Sequence, residues 1–100
     1  MAKVKVVTVC GFGIGSSLIL KMTLDSVLDS AGIRDVESEP HDVTSCVGTE
    51  ADLVLVSKEL APQIEDKVSC PLIVIGNFLS EQEVGEKVLP AIRELLQKKG

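Results

Sequence analysis

One hundred residues, 45% of them apolar and 25% charged, make a chain large enough for one hydrophobic core and too small for two, so a single domain over residues 1–100 is expected. A formal net charge of −5 and only two aromatics, Phe12 and Phe78, argue against nucleic acid as a partner, because that binding rests on clustered Lys and Arg or on stacking platforms. No apolar run approaches the ~20 residues that span a bilayer, and "MAKVKVVTV" runs into a glycine loop rather than a cleavage site, so a cytoplasmic protein without membrane insertion is expected.

Val4 to Val9, "VKVVTV", is short and β-branched and reads as a buried parallel strand. A helix is expected from Ser16 or Ser17, with Leu18, Ile19, Met22, Val27 and Leu28 on its apolar face and Gly32 as its stop. Arg34 to Pro40 reads as an edge strand that Pro40 ends. "HDVTSCVGTEA" reads as a loop with one helical turn at most. "ADLVLVS", Ala51 to Ser57, is the next buried strand, and the short helix after it must place Pro62 in its first turn.

"PLIVIGN", Pro71 to Asn77, repeats the pattern of a buried strand ending in glycine. The last helix opens with Ser80 as N-cap and Glu83 three residues on, the capping-box spacing. Val84, Val88, Ile92 and Leu95 or Leu96 mark its apolar face, and Pro90 should kink or divide it. Strands alternating with helices imply an α/β fold: a small doubly wound, four-stranded parallel sheet of order 2-1-3-4 flanked by helices. In such a sheet ligands bind beyond the carboxyl ends of the strands at the switch point, here beside the first strand. The loops Cys10 to Ser17, Ser57 to Lys58 and Gly76 to Phe78 should converge on that edge.

Cys10 ends the first strand, and Gly11, Phe12, Gly13, Ile14, Gly15, Ser16 and Ser17 follow. Alternating glycines let backbone N–H groups turn inward, and the helix behind them adds its own free N–H groups and positive dipole end. The result is a phosphatase-like phosphate loop after the first strand, in a field that also favours a thiolate at Cys10. "G-F-G-I-G" is neither the dinucleotide fingerprint nor a Walker loop, so nucleotide binding is disfavoured. Cysteine-dependent phosphatases carry an arginine six residues after the cysteine, and Ser16 stands there instead. Without that fork the loop suits holding a phosphoryl group and passing it on rather than hydrolysing it.

"V-C-G-F-G-I-G-S-S-L-I-L-K-M", Val9 to Met22, resembles the phosphocysteine loop and first helix of the enzyme IIB components of the bacterial phosphoenolpyruvate-dependent sugar phosphotransferase system (PTS). Its spelling is most similar to the ascorbate-type IIB proteins, with the galactitol, mannitol and lactose/cellobiose types more distant. The resemblance implies a phosphoryl relay: a phosphohistidine on a IIA protein donates to Cys10, and the phosphocysteine donates to a substrate, first of all ascorbate, held by the membrane IIC transporter. It implies Cys10 as nucleophile, Gly11 to Ser17 as the phosphate-binding loop with Ser16 or Ser17 capping the helix, no cofactor, and a monomer when isolated, peripherally associated with the transporter.

Phe12, Ile14 and Phe78 read either as packing or as an apolar rim for partner docking. Lys21 reads as a solvated surface lysine, His41 as an exposed loop residue, and Cys46 and Cys70 as small apolar residues. The cysteines lie 36 and 24 positions apart with one histidine in the chain, which supports no zinc or other metal site. The rival reading is a low-molecular-weight phosphatase or arsenate reductase using Cys10, and a non-catalytic anion-binding module is a third.

Overall fold

A computed structural model describes residues 4–9, 14–41, 50–68 and 70–99; for 14–17 and 99 only the backbone is described. The elements in chain order are β1 (Val4–Val9), α1 (Ile14–Ser30), β2 (Val36–His41), β3 (Leu53–Ser57), α2 (Ala61–Ile64), β4 (Leu72–Ile75) and α3 (Glu81–Lys99). The strands form one all-parallel sheet in the order β2-β1-β3-β4, the order that the alternation of strands and helices implies.

β1 and β3 are the central strands, and their apolar runs are buried on both faces. One face packs Val4, Val6, Leu53 and Leu55 against Leu20, Leu24, Val27 and Leu28 of α1 and Val84, Val88 and Ile92 of α3. The other packs Val7, Val9, Val54 and Val56 against Leu60, Ala61 and Ile64 around α2. Helices on both faces make the sheet doubly wound. At the amino end of the sheet, Asp52 Oδ2 accepts from Lys5 N at 2.8 Å while Asp52 N donates to Lys5 O at 2.8 Å, fixing the β1–β3 register.

Local expectations fare unevenly. α1 starts at Ile14, two residues before the expected Ser16, and closes at Gly32, whose φ of +72° suits glycine. Gly32 N bonds Asp29 O and Ile33 N bonds Leu28 O, the paired bonds of a Schellman end. The inward face of α1 is Leu20, Leu24, Val27 and Leu28; Leu18, Ile19 and Met22, expected in the core, are 45%, 43% and 62% exposed. An all-round apolar first half made the face ambiguous, and the sheet selects the i, i+4, i+7, i+8 stripe.

β2 runs through Pro40 to His41 instead of ending at the proline, because an edge strand has one side where a missing N–H costs no ladder bond. Pro62 does sit in the first turn of α2. α3 carries the expected apolar face and continues through Pro90 undivided. Both Pro90 and Glu86, whose carbonyl loses its intrahelical donor, are exposed, so water can satisfy that carbonyl.

Candidate phosphate-loop site

The parallel sheet brings the carboxyl ends of all four strands to one edge, at Val9, His41, Ser57 and Ile75. Cys10, Gly11, Phe12 and Gly13 lie outside the described residues. Four residues thus connect the end of β1 to the start of α1, and Ile14, Gly15, Ser16 and Ser17 form its first turn. The N–H groups of a first turn have no intrahelical acceptor, and this one carries no acidic residue to offset the positive end of the helix. Ser16 and Ser17 lie inside the helix, so neither is the residue that precedes and caps it.

Ser57 ends β3 beside β1, where Val56 pairs with Val9. It is 95% buried by its 5% exposure, and its Oγ has no hydrogen-bond partner among the described residues. The sequence places Ser57 at this edge as the start of a loop, and the run "LVLVS" does not reveal its burial.

His41 is not a loop residue. It ends β2 opposite Val9, half-buried, with Nε2 3.0 Å from Glu39 Oε2. Lys5 Nζ lies 3.3 Å from the same oxygen. Hydrogen bonds from His41 and then Lys5 hold the Glu39 carboxyl below the usual carboxylate range. Lys21 is tied to Asp25 at 2.6 Å, and Asp25 Oδ1 accepts from Ser38 Oγ at 2.6 Å, so Asp25 links α1 to β2 while Lys21 holds Asp25 from within the helix.

The turn after β4 is organised by its own helix. Glu83 accepts from Gly76 N at 2.5 Å and Asn77 N at 3.0 Å, and Ser80 Oγ accepts from Glu83 N at 3.1 Å. Ser80 therefore caps α3 as expected, while Glu83 reaches past it to the turn. The Gly76 and Asn77 donors are thereby committed to a carboxylate. Phe78 is packed against the α1 and α3 core rather than forming a rim, and its carbonyl accepts from Thr23 Oγ1 at 2.6 Å. Its neighbour Leu79 is 75% exposed, and Leu18, Ile19 and Met22 of α1 are exposed as well.

Cys46 lies outside the described residues. Cys70 packs against the α2 side of the sheet, and burial chiefly pushes its thiol above the usual range, with the Asp52 charge adding to the effect. It precedes β4 at the amino edge, about 13 Å of strand away from the carboxyl ends, well beyond the ~7 Å reach of a disulfide. A cysteine relay that joins Cys70 to the end of β1 therefore has no support. Among the described residues no group of His, Cys, Asp or Glu could hold a metal ion, and no helix is long and apolar enough to cross a membrane.

Residues 5–90 match the family described as PTS system, Lactose/Cellobiose specific IIB subunit. The chain is 33% identical over 98 residues to the ascorbate-specific PTS system EIIB component of Salmonella typhimurium, covering 91% of each chain. It is 32% identical over 97 residues to the protein of the same name from Shigella flexneri, covering 90% of each. The fold is that of the lactose-specific IIB component domain of the phosphoenolpyruvate:carbohydrate phosphotransferase system from Streptococcus pneumoniae, with a TM-score of 0.64 at 12% identity over 95% of this chain and 96% of that one. A parallel 2-1-3-4 sheet, a short loop from its first strand into a helix without acidic residues in its first turn, and this likeness over nearly the whole length agree. The chain belongs to the lactose/cellobiose-specific IIB subunit family of the phosphotransferase system, and is a phosphotransferase that carries phosphoryl groups in that system.

Proposed function

We propose that residues 1–100 act as one IIB domain in which Cys10 is the phosphoryl carrier and the N–H groups of Gly11, Phe12, Gly13, Ile14, Gly15, Ser16 and Ser17 cradle the phosphoryl oxygens. The observation that carries this reading is the four-residue connection from β1 into a helix whose first turn is free of acidic residues. A dianion there meets unpaired donors and a positive dipole end.

In the loading step the Cys10 thiolate attacks the phosphorus of a phosphohistidine on the IIA partner. The S–P bond forms as the N–P bond breaks, and the imidazole nitrogen leaves with the electron pair and becomes protonated. In the unloading step a substrate hydroxyl oxygen attacks the same phosphorus and the sulfur leaves as thiolate. The hydroxyl proton passes to a base on the acceptor side. Phosphoryl transfer needs positioning and charge stabilisation above all, so a cradle of neutral donors suffices.

The substrate is ascorbate, a reading supported by the names of relatives similar over 90–91% of the chain. Family membership implies IIA and IIC partners in general. The chain works in the cytoplasm as a monomer that meets the membrane transporter peripherally. The exposed α1 residues Leu18, Ile19 and Met22, with Leu79 one residue beyond the Phe78 carbonyl that Thr23 of α1 holds, form the contact for the IIA donor, whose phosphohistidine must reach the start of that helix.

The test is reconstitution with phosphoenolpyruvate, the general phosphotransferase proteins, IIA and IIC-containing vesicles. Labelled ascorbate becomes phosphorylated, and galactitol and lactose do not. Phosphorylation of galactitol or lactose instead would reassign the substrate.

A further inference from the structure

The sheet ends in two edge strands, and the register decides which backbone groups each leaves free. β4 pairs with β3 alone. Val54 N donates to Pro71 O at 3.0 Å while Val54 stands against Leu72, so in this parallel ladder Val54 bonds Pro71 and Ile73, and Val56 bonds Ile73 and Ile75. The N–H and C=O groups of Leu72 and Val74 therefore point away from β3, where no strand lies among the described residues.

The opposite edge follows the same logic. Val4 N donates to Asp35 O at 2.9 Å while Val4 stands against Val36, so Val36, Ser38 and Pro40 are the outward residues of β2. There Pro40 removes one outward N–H, and Glu37 and Glu39 put charge on the strand. β4 has neither device. "LIVI" is apolar throughout and only half-buried at Leu72, Ile73 and Val74, a composition that invites pairing with another strand.

This edge is covered from α3. Lys87 Nζ donates to Val74 O at 3.0 Å, and Glu83 Oε2, one helical turn earlier, holds the same ammonium at 2.8 Å. The carbonyl that Lys87 takes is one of the four outward groups, so this bond lies on the free edge and not in the ladder. An arriving strand must displace a charged donor and then accept an ammonium beside its apolar side chains.

We infer that Lys87 guards the free edge of β4 against pairing with a second copy of this chain, a role that rests on the monomer proposed above and on none of the phosphoryl chemistry. A second copy is the occupant because the edge is complementary to itself. In an antiparallel pair about a two-fold axis at Ile73, Leu72 exchanges both bonds with Val74 of the second copy, and Val74 does so with the second copy's Leu72. All four outward groups of each chain are then satisfied once Lys87 releases Val74 O. Growth stops at two chains, because the edges left open are those of β2 with its proline.

Sedimentation equilibrium reads the mass and amide exchange by NMR reads the site, for wild type, Lys87→Met and Lys87→Arg. Wild type keeps the mass of one chain, with the Leu72 and Val74 amides exchanging fast and those of Ile73 and Ile75 slowly. Lys87→Met, which keeps the length of the side chain and loses the donor, moves toward twice that mass as its concentration rises. Where about nine-tenths of it is paired, its Leu72 and Val74 amides slow about tenfold, since only the unpaired tenth exchanges. Lys87→Arg stays monomeric. Adding Val74→Pro to Lys87→Met restores the monomer, because it deletes an outward N–H that the ladder does not use. A Lys87→Met chain that stays monomeric at every concentration, or that pairs while those two amides remain fast, overturns the guard. So do slow Leu72 and Val74 amides in monomeric wild type, a result that needs no variant to fold. A wild-type dimer in which both amides are fast overturns the monomer reading instead, and the two amides in Lys87→Met still decide the guard.

Discussion

The carboxylate of Glu83, in the first turn of α3, closes over the backbone N–H of Gly76 at 2.5 Å, seven residues earlier at the end of β4. It also accepts from Asn77 N at 3.0 Å and from Lys87 Nζ at 2.8 Å, while Lys87 Nζ reaches Val74 O at 3.0 Å. One carboxylate thus ties a strand end, a turn and the next helix together at the functional edge of the sheet.

Hydrogen bonds from Lys87, then from Gly76 and Asn77, lower the pKa of Glu83 to about 2. A depressed carboxyl contributes stability that is fully present above its unfolded value near 4.5 and is lost as pH falls through the folded value. The wild-type chain should therefore lose stability between about pH 4.5 and pH 2 more steeply than Glu83→Gln. At neutral pH Glu83→Gln should be less stable by about 1–2 kcal/mol, reduced from a fully buried bond by partial exposure. Urea melts of both proteins across that range check the sign and the window.

Two glycines of the scaffold should respond in opposite directions. Gly32 has φ +72°, so Gly32→Ala forces an L side chain into the left-handed region and should destabilise by about 1 kcal/mol. Gly85 lies within α3, and an added Cβ meets Val27 Cγ1 at 3.6 Å, an ordinary contact. Gly85→Ala should stabilise by about 0.5–1 kcal/mol through helix propensity. Thermal melts of the two variants decide both.

The bond from Thr23 Oγ1 to the carbonyl of Phe78 spans 55 residues of sequence and holds the turn after β4 against α1. Thr23→Val keeps the shape and removes the donor, and should cost about 1–2 kcal/mol because the carbonyl is left without that partner. Faster amide exchange at Leu79 and Ser80 with little change in β1 is the accompanying signature.

Met22 and Leu79 are 62% and 75% exposed, so replacing them with charged residues should leave the melting temperature nearly unchanged. If they meet the IIA donor, Met22→Glu combined with Leu79→Asp raises the KM for phosphorylated IIA about tenfold or more, the scale of one lost apolar anchor at an interface. Loading titrations with IIA read the effect, and an unchanged KM would move the contact elsewhere.

Much of this architecture is written in the sequence because its central strands are unambiguous. "VKVVTV" and "LVLVS" have one physical solution, burial on both faces of a parallel sheet, and the strand order follows from the alternation with helices. The inward face of α1 was not legible. "LILKM" is apolar at four of its five positions, and only the packing of the sheet decides that Leu20 faces in while Leu18, Ile19 and Met22 face out. His41 was misplaced because Pro40 reads as a stop, whereas an edge strand tolerates it. The sequence places Ser57 at the site edge, but as the start of a loop and without its burial. A serine at the end of an apolar run looks like the start of a turn, and its burial, with no hydrogen-bond partner for Oγ among the described residues, exists only in three dimensions.

The central claim is that Cys10 carries the phosphoryl group. The most direct measurement is the intact mass of the chain after incubation with phosphoenolpyruvate, the general phosphotransferase proteins and IIA, for wild type and Cys10→Ser. The account predicts one added phosphate on the wild-type chain, mapped to the Cys10 peptide, and none on the variant. Equal phosphate on both chains, or none on the wild type with an active IIA, would contradict it.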